Sequence, residues 1–233
     1  MLFRSIEALQ AAGVEGITID FTLPDLIDTL AAGPLPLTDA EKEAVRTELD
    51  AKDAGALAAL GERAAAYLPL IEATGPFHAA MEKLEAFDVV TGGALTSRIA
   101  ALRAIAKPID WDITLTLDPT ERHGFEYQIW FGFSVFAKGF VGEIGRGGSY
   151  SIMHADGSEE PAMGFSLYPD PLIDAGYGNV QVKRLFLPLG HDRSAAAKLR
   201  DEKWQTVAAL SEADDGRALG CTHYLDGGAP KPF

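Results

Sequence analysis

The chain has 233 residues, of which 47% are hydrophobic, 20 are basic and 34 are acidic, so its formal net charge is −14. This length can bury a core in one or two domains, and the acidity argues against nucleic-acid binding, which needs clustered Lys and Arg. The single cysteine, Cys221, excludes an internal disulfide and a thiolate metal cage and suits a cytoplasmic protein.

The first half of the chain is predicted to be mainly helical. Residues 2–12 have helical spacing, whereas residues 16–22 alternate Ile and Phe with Thr and Asp, which predicts a strand with one buried face. Thr38 and Glu41 form a capping box, in which each side chain can satisfy a free amide at the start of a helix. Helices are predicted at about 24–30, 39–50, 54–67, 76–87 and 94–106. Residues 24–107 are therefore interpreted as a helical insert.

From Pro108 onward the pattern changes to strands. Strands are predicted at 113–117, 125–137 and 161–168, with 141–144 in extended conformation. The intervening Gly145–Gly148 is interpreted as a turn, because it lacks the Lys-Ser/Thr that follows a phosphate-binding loop. Gly-rich turns of this kind favour an antiparallel sheet, and 169–179 has the composition of a linker.

The last part of the chain is predicted to form a small α/β segment. Strands are predicted at 182–187, 206–210 and 221–225, with helices at 194–203 and 214–219, giving a β-α-β-α-β order. The sequence therefore predicts an α+β fold with two domains, residues 1–178 and 179–233.

Three blocks carry a family resemblance: Arg122–Tyr127, Gly142–Tyr150 and Pro161–Leu167. In order and spacing they resemble the Arg-Gly-Leu-Asp-Tyr-Tyr segment, the Gly-Gly-Gly-Arg-Tyr-Asp turn and the motif 3 strand of histidyl-tRNA synthetases. The ending Leu219–Gly228 resembles the regulatory subunits of ATP phosphoribosyltransferase, which are non-catalytic relatives of those enzymes. The resemblance implies a class II aminoacyl-tRNA synthetase-like antiparallel sheet that carries a helical insert.

The resemblance also implies where a histidine pocket would lie. The positions that it assigns to that pocket are His123, Glu126, Tyr127, Gln128, Gly147, Gly148, Tyr150 and Gly164. Glu126 and Tyr127 are the strongest ligand candidates, because a carboxylate can pair with the ligand's ammonium group. The alternative is that these two residues are an ordinary strand pair that faces solvent and core.

Several departures from the family pattern predict that adenylation is lost. His123 stands where the family has an arginine, and Arg122 is expected to point to the opposite face of a strand. Pro171 replaces the arginine that clamps ATP phosphates, and Ser149 and Ser151 replace the arginine and acid of the glycine turn. Trp130 stands at a usual glycine, which would put a large ring in or beside the pocket.

No metal or cofactor is expected. The pair Asp110 and Asp112 lacks a third ligand, and the five histidines show no metal-binding spacing. No apolar run approaches the roughly 20 residues needed to span a membrane. The family's first part, with motifs 1 and 2, would precede Met1, so the chain is expected to be a truncated or shortened member.

The resemblance implies a regulatory subunit that is not itself an enzyme. Its expected partner is the short-form ATP phosphoribosyltransferase catalytic subunit, in a hetero-oligomer, and its expected ligand is L-histidine. One alternative is a histidine–tRNA ligase-like adenylating enzyme, against which the missing motif 2 counts. Another is a synthetase-like module for a different small ligand, which Ile129 and Trp130 favour because they would shrink the site.

Overall fold

The structure is a computed structural model that describes residues 2–109, 112–122, 128–178 and 182–233. The chain divides into two compact units, Met1–Gly178 and Asn179–Phe233, and each has a hydrophobic core of its own. Helices and strands occur in both units, so the predicted α+β class is confirmed.

A mixed sheet organises the first unit. Its strands are β1 Ile17–Thr22, β2 Gly75–Pro76, β3 Thr114–Leu117, β4 Gln128–Ala137, β5 Gly145–Met153 and β6 Glu159–Leu167. Among the described residues they lie in the order β2-β3-β1-β4-β5-β6. Neighbours are antiparallel except β1 and β3, which run parallel. The predicted antiparallel sheet is therefore confirmed, with one parallel pair at the side of the helical insert.

The first unit also contains short helices. They are α1 Leu2–Ala11, α2 Leu26–Ala31, α3 Asp39–Asp50, α4 Ala54–Ala59, α5 Glu62–Ala65, α6 Leu68–Glu72, α7 Phe77–Val90, α8 Thr96–Ala106 and α9 Pro169–Asp174. The capping box of α3 is present: the Thr38 side chain accepts from the Glu41 amide, and the Glu41 carboxylate accepts from the Thr38 amide at 2.8 Å.

Two predictions about these helices were wrong. The helix predicted over 54–67 is broken at Gly61, whose φ of 115° lies outside the helical region. The segment predicted as a linker begins with α9, because Pro169 fits a first helical turn and Leu172 is buried.

The sheet of the first unit has one apolar and one polar face. Ile17, Ile19 and Phe21 of β1 pair in register with Ala137, Val135 and Phe133 of β4, and all six are buried. Phe21 packs edge-on against Phe77 of α7, with ring centroids 5.4 Å apart. Burying a side chain of this size stabilises the fold by roughly 1.5–3 kcal/mol. Alternation therefore directs Thr18, Asp20 and Thr22 to the opposite, polar face.

The second unit contains a smaller sheet. Its elements are β7 Arg184–Leu187, α10 Arg193–Asp201, β8 Gln205–Ala208, β9 His223–Asp226 and β10 Ala229–Pro232. The strand order is β10-β9-β7-β8, and β7 runs parallel to both neighbours. Leu185, Leu187, Ala196, Leu199 and Leu225 form its core.

The predicted β-α-β-α-β order of the second unit is wrong at its second helix. Residues 214–215 have no regular structure and 216–219 form turns. The Asp214 carboxylate accepts from the Leu210 amide at 2.6 Å and the Ser211 amide at 3.0 Å. Such side-chain bonds compete with helix formation. The β9–β10 hairpin was not predicted, and the buried Cys221 precedes β9. None of the helices among the described residues is long and apolar enough to cross a membrane.

Candidate functional site

Three glycines form a strip without side chains across the polar face of the sheet. Gly132 of β4 pairs with Gly148 of β5, which pairs with Gly164 of β6. A Cβ atom on Gly132 would lie 2.5 Å from the Thr22 hydroxyl, and one on Gly148 would lie 2.6 Å from the Phe131 carbonyl oxygen. Both distances are too short, so these two positions of the glycine strip accept no side chain.

Gln128 and Tyr150 lie over the glycine strip. A Cβ atom on Gly132 would be 2.9 Å from the Gln128 side-chain oxygen, and one on Gly148 would be 3.0 Å from the same amide group. The Tyr150 ring lies 3.4 Å from the corresponding point on Gly164. Gln128 and Tyr150 are also paired with each other across β4 and β5, so their side chains together cover the glycine strip.

The structure brings together four of the residues predicted for the pocket: Gln128, Gly148, Tyr150 and Gly164. Gly147 lies on the opposite face, where a Cβ atom would be 2.6 Å from the Phe133 ring. His123, Glu126 and Tyr127 lie outside the described residues, so their place relative to the glycine strip stays a prediction.

The interpretation of Gly145–Gly148 as a turn was wrong, because these residues belong to β5. A Cβ atom on Gly145 would lie 2.7 Å from the Leu167 side chain, and Gly147 fits against Phe133. Residues 141–144, predicted to be extended, lie in the loop that precedes β5. The glycines of this segment therefore allow close contact within the sheet rather than a reversal of the chain.

A cavity of about 10 Å³ opens beside the glycine strip. This volume holds roughly one water molecule. Its lining residues are Thr22, Pro24, Glu121, Arg122, Gln128, Phe133, Ser134 and Arg146. Arg122 was predicted to point away from this face. It precedes β4 in a loop, so strand alternation does not govern its direction.

A charged cluster adjoins the cavity. The Glu143 carboxylate accepts hydrogen bonds from the Ser134 hydroxyl at 2.8 Å and from Arg146 Nε at 2.5 Å, and it also pairs with Arg146 Nη2. The side chains of Glu143 and Arg146 are 11% and 21% exposed. Burial and the Glu143 charge raise the pKa of the nearby Tyr168. Sequence reasoning missed this cluster: Glu143 and Arg146 are only three residues apart, and the pairing of β4 with β5 brings Ser134 to them.

A second ion pair holds the loop that leads to the cavity. Lys52, just past the end of α3, donates to the Asp118 carboxylate and the Thr120 hydroxyl, both at 2.7 Å. Burial and the Glu121 charge raise the pKa of the nearby Asp50. The helical insert is thereby tied to residues 118–120, directly before the lining residues Glu121 and Arg122.

No group of three or more His, Cys, Asp or Glu side chains that could hold a metal ion occurs in the part of the chain that the structure describes. Of the pair Asp110 and Asp112, which was expected not to bind a metal, Asp110 lies outside the described residues.

Comparison with known proteins identifies the family. The histidyl-tRNA synthetase family model matches residues 3–172. The chain belongs to the histidyl-tRNA synthetase family. Two curated relatives are named ATP phosphoribosyltransferase regulatory subunit. The protein from Rhodospirillum centenum is 42% identical over 98% of this chain, and that from Paramagnetospirillum magneticum is 36% identical over 97%. The chain spans about 60% of the length of each relative.

Solved structures show the same fold. A histidyl-tRNA synthetase from Nostoc sp. aligns over 96% of this chain and 59% of its own, with a TM-score of 0.69 and 12% identity. An ATP phosphoribosyltransferase regulatory subunit/histidyl-tRNA synthetase from Bacillus halodurans aligns over 93% of this chain and 60% of its own, with a TM-score of 0.65 and 16% identity. The predicted class II synthetase-like sheet is thereby confirmed.

Trp130, which the resemblance predicts to stand at a usual glycine, has a backbone conformation that favours glycine. Trp130 and Phe131 are extra residues between the paired Ile129 and Gly132, so they form a bulge opposite Ser149 and Gly148. Trp130 has φ of 68°, in the left-handed region that favours glycine. Trp130 is 37% exposed and is not among the described residues that line the cavity.

Ser149, which replaces an arginine of the histidyl-tRNA synthetase pattern, has a structural role at this bulge. Its hydroxyl lies 2.6 Å from the Ile129 carbonyl oxygen and 3.2 Å from that of Phe131. One hydroxyl proton is thus shared between two carbonyl groups on either side of Trp130. The Ser149 side chain therefore stabilises the bulge in β4 and presents no charge to a ligand.

Proposed function

We propose that this chain is a non-catalytic regulatory subunit of ATP phosphoribosyltransferase that acts in L-histidine biosynthesis in the cytoplasm. The observation that carries the proposal is the 42% identity, over 98% of the chain, to a curated protein of that name. Its proposed partner is the short-form catalytic subunit, which it activates and makes sensitive to histidine. Such regulation requires that histidine bind two states of the assembly with different affinity.

The residues at the site support a role without chemistry. Activating a carboxylate with ATP needs fixed cations where negative charge develops. The resemblance gives three positions where the family pattern has arginine. His123 stands at one of them and lies outside the described residues, and the other two hold Ser149, whose hydroxyl bonds to carbonyl groups of the bulge, and Pro171, which lies in α9. No cofactor is needed for the proposed role.

The test is to measure the rate of the short-form catalytic subunit with and without this chain, and then with added L-histidine. The proposal predicts a rise in rate that histidine suppresses. If the rate rises but histidine does not suppress it, the activating role is supported and the sensing role is wrong. If the chain neither changes the rate nor forms a complex, the proposal is wrong.

A second candidate is a synthetase-like module that binds another small ligand. The cavity, about 10 Å³, holds about one water molecule, and Gln128 lies over the glycine strip, which counts against a ligand of the size of histidine at this place. Thermal shifts measured across the amino acids distinguish the candidates, because a ligand stabilises the fold that binds it. A shift with an amino acid other than histidine would support this second candidate.

A further inference from the structure

The side-chain amide of Gln128 lies over two positions of the glycine strip. Its oxygen is 2.9 Å from the point that a Cβ atom of Gly132 would occupy, and its carbon and nitrogen are 3.0 Å from the corresponding point on Gly148. The amide group of glutamine is planar and polar, as is a heteroaromatic ring such as imidazole. The glycine strip therefore already carries a planar polar group, which the chain itself supplies.

Contact, and not hydrogen bonding, holds the Gln128 amide at this place. The amide offers two N–H donors and one carbonyl acceptor. Within residues 2–109, 112–122, 128–178 and 182–233, neither the donors nor the acceptor form a hydrogen bond. A ligand that displaces the amide therefore breaks no hydrogen bond of the folded chain, which keeps the free-energy cost of the displacement low.

Gln128 can leave the glycine strip without any change in the sheet. It is the first residue of β4 and is only half-buried, and the bonds of its long side chain rotate between staggered positions. While the amide is in place, the adjoining cavity of about 10 Å³ holds roughly one water molecule. Access for a larger group therefore requires this one side chain to move.

We propose that Gln128 makes an autoinhibitory contact with the glycine strip: its amide occupies the place that the planar group of the ligand takes, and the ligand must displace it. This inference rests on the proposed function, in which the ligand is L-histidine and the planar group is its imidazole ring. Gln128 then competes with the ligand instead of binding it, which is the opposite of the ligand contact that the family resemblance implies. The apparent affinity is lowered in proportion to the fraction of molecules in which the glycine strip is open.

The experiment measures the affinity of this chain for L-histidine by calorimetry, with Gln128→Ser as the main variant. Serine keeps a polar side chain but is too short to cover the glycine strip. Gln128→Ser is expected to bind L-histidine about 3- to 30-fold more tightly than the unmodified chain, which corresponds to a strip that is open in roughly a third to a thirtieth of the unmodified molecules. A residue that contacts the ligand would give the opposite sign, because its removal weakens binding.

Two further variants separate the space that Gln128 fills from the hydrogen bonds that it could make. Gln128→Met keeps the length of the side chain without the amide, so its affinity for L-histidine should stay within about twofold of that of the unmodified chain. Gln10→Ser is the matched control. Gln10 is exposed on α1 and does not line the cavity beside the glycine strip, so this variant should leave the affinity unchanged.

A second probe, L-alanine, tests whether the contact involves the planar group of the ligand. L-Alanine shares the ammonium and carboxylate groups of L-histidine but has no planar ring in its side chain. Because the Gln128 amide competes only with the ring, Gln128→Ser should gain affinity for L-histidine and gain none for L-alanine.

Three outcomes would overturn the inference. The first is that Gln128→Ser binds L-histidine no more tightly than the unmodified chain, which includes the case in which neither binds it. The second is that Gln128→Met gains as much affinity as Gln128→Ser, because the filled space then does not limit binding. The third is an equal gain for L-alanine and L-histidine. The proposed function survives each of these outcomes as long as this chain still raises the rate of the short-form catalytic subunit and histidine still suppresses that rise.

Discussion

At the residue scale, Trp130 shows how one side chain can occupy a conformation that its chemistry disfavours. A left-handed backbone brings Cβ close to the following carbonyl oxygen and costs roughly 1–2 kcal/mol for any residue except glycine. The bulge imposes φ of 68° on Trp130, and the Ser149 hydroxyl supports the two carbonyl groups beside it. The pairing of β4 with β5 around the bulge therefore offsets the conformational strain at Trp130.

The strain at Trp130 can be measured by comparing two substitutions that both remove the ring. Trp130→Gly is expected to be more stable than Trp130→Ala by about 1 kcal/mol, because only glycine adopts this φ without strain. Urea unfolding of both variants gives the difference. The neighbouring Ile129 is the control, since it lies outside the left-handed region. There the glycine variant should be the less stable by roughly 0.5–1 kcal/mol. The same order at both positions would contradict the interpretation.

The residue scale also shows which parts of the site could be predicted from sequence. Gln128, Gly148, Tyr150 and Gly164 were found through the family resemblance, and the sheet register places them on one face. The Glu143–Arg146 pair was missed although the two residues are only three apart, because Glu143 lies in the loop before β5 and no strand or helix spacing places it beside Arg146. Its other partner, Ser134, reaches Glu143 from β4. Alternation within one strand cannot reveal which residue lies opposite on the next.

At the element scale, the glycine strip depends on how closely β4, β5 and β6 approach. Gly148→Ala is expected to destabilise the fold by roughly 1–3 kcal/mol, because its Cβ atom would lie 2.6 Å from the Phe131 carbonyl oxygen, a backbone atom that cannot move aside. Gly164→Ala is the matched control on β6. Its nearest neighbour would be Tyr150 at 3.4 Å, an ordinary contact, so a change within about 0.5 kcal/mol is expected. Equal losses in thermal or urea unfolding would show that the packing of Gly148 is not special.

Helices of the insert are joined by the buried Tyr67, just before α6. Its hydroxyl donates to the Leu35 carbonyl oxygen at 2.7 Å, and burial raises its pKa from 10.0 to about 12. Tyr67→Phe is expected to lower the free energy of unfolding by about 1 kcal/mol near pH 8, since the hydrogen bond is lost.

The stability that Tyr67 contributes should also depend on pH. The unfolded chain ionises this tyrosine above pH 10.0, whereas the folded chain keeps it neutral to about pH 12. Its contribution is therefore complete below pH 10.0 and is lost as the pH rises toward 12. The stability difference between the unmodified chain and Tyr67→Phe should shrink over this interval. A difference that stays constant in urea unfolding from about pH 8 to pH 11.5 would contradict this prediction.

Elements governed by local chemistry were predicted well, and those governed by distant contacts were not. The capping box of α3 involves residues three apart, and the alternation of β1 is visible within six residues. By contrast, Gly145–Gly148 becomes a strand because Leu167 and Phe133 approach it from neighbouring strands. The segment 214–219 is an exception to this division, because the Asp214 carboxylate accepts from amides only three and four residues away, and helical spacing does not show such bonds.

At the scale of the whole molecule, the net charge of the chain and the residues of the candidate site can be compared with the charge of possible ligands. A chain of net charge −14 repels a polyanion such as tRNA, and at the candidate site Arg146 is paired with the Glu143 carboxylate. A ligand of amino-acid size, with one carboxylate and one ammonium group, suits this balance better than a nucleic acid does. The acidity of the chain and the residues of the site are both consistent with the proposed sensing role.

The glycine strip also bears on how such a protein can diverge. Every substitution of a glycine adds at least a Cβ atom. At Gly132 and Gly148 this atom would lie too close to its neighbours. Duplicated genes would therefore inherit this surface unchanged, while the residues above and beside it, such as Gln128 and Arg146, are free to vary. The same glycine strip can in this way serve a catalyst in one descendant and a sensor in another. Attempts to engineer a new ligand preference should begin with the residues that cover the strip.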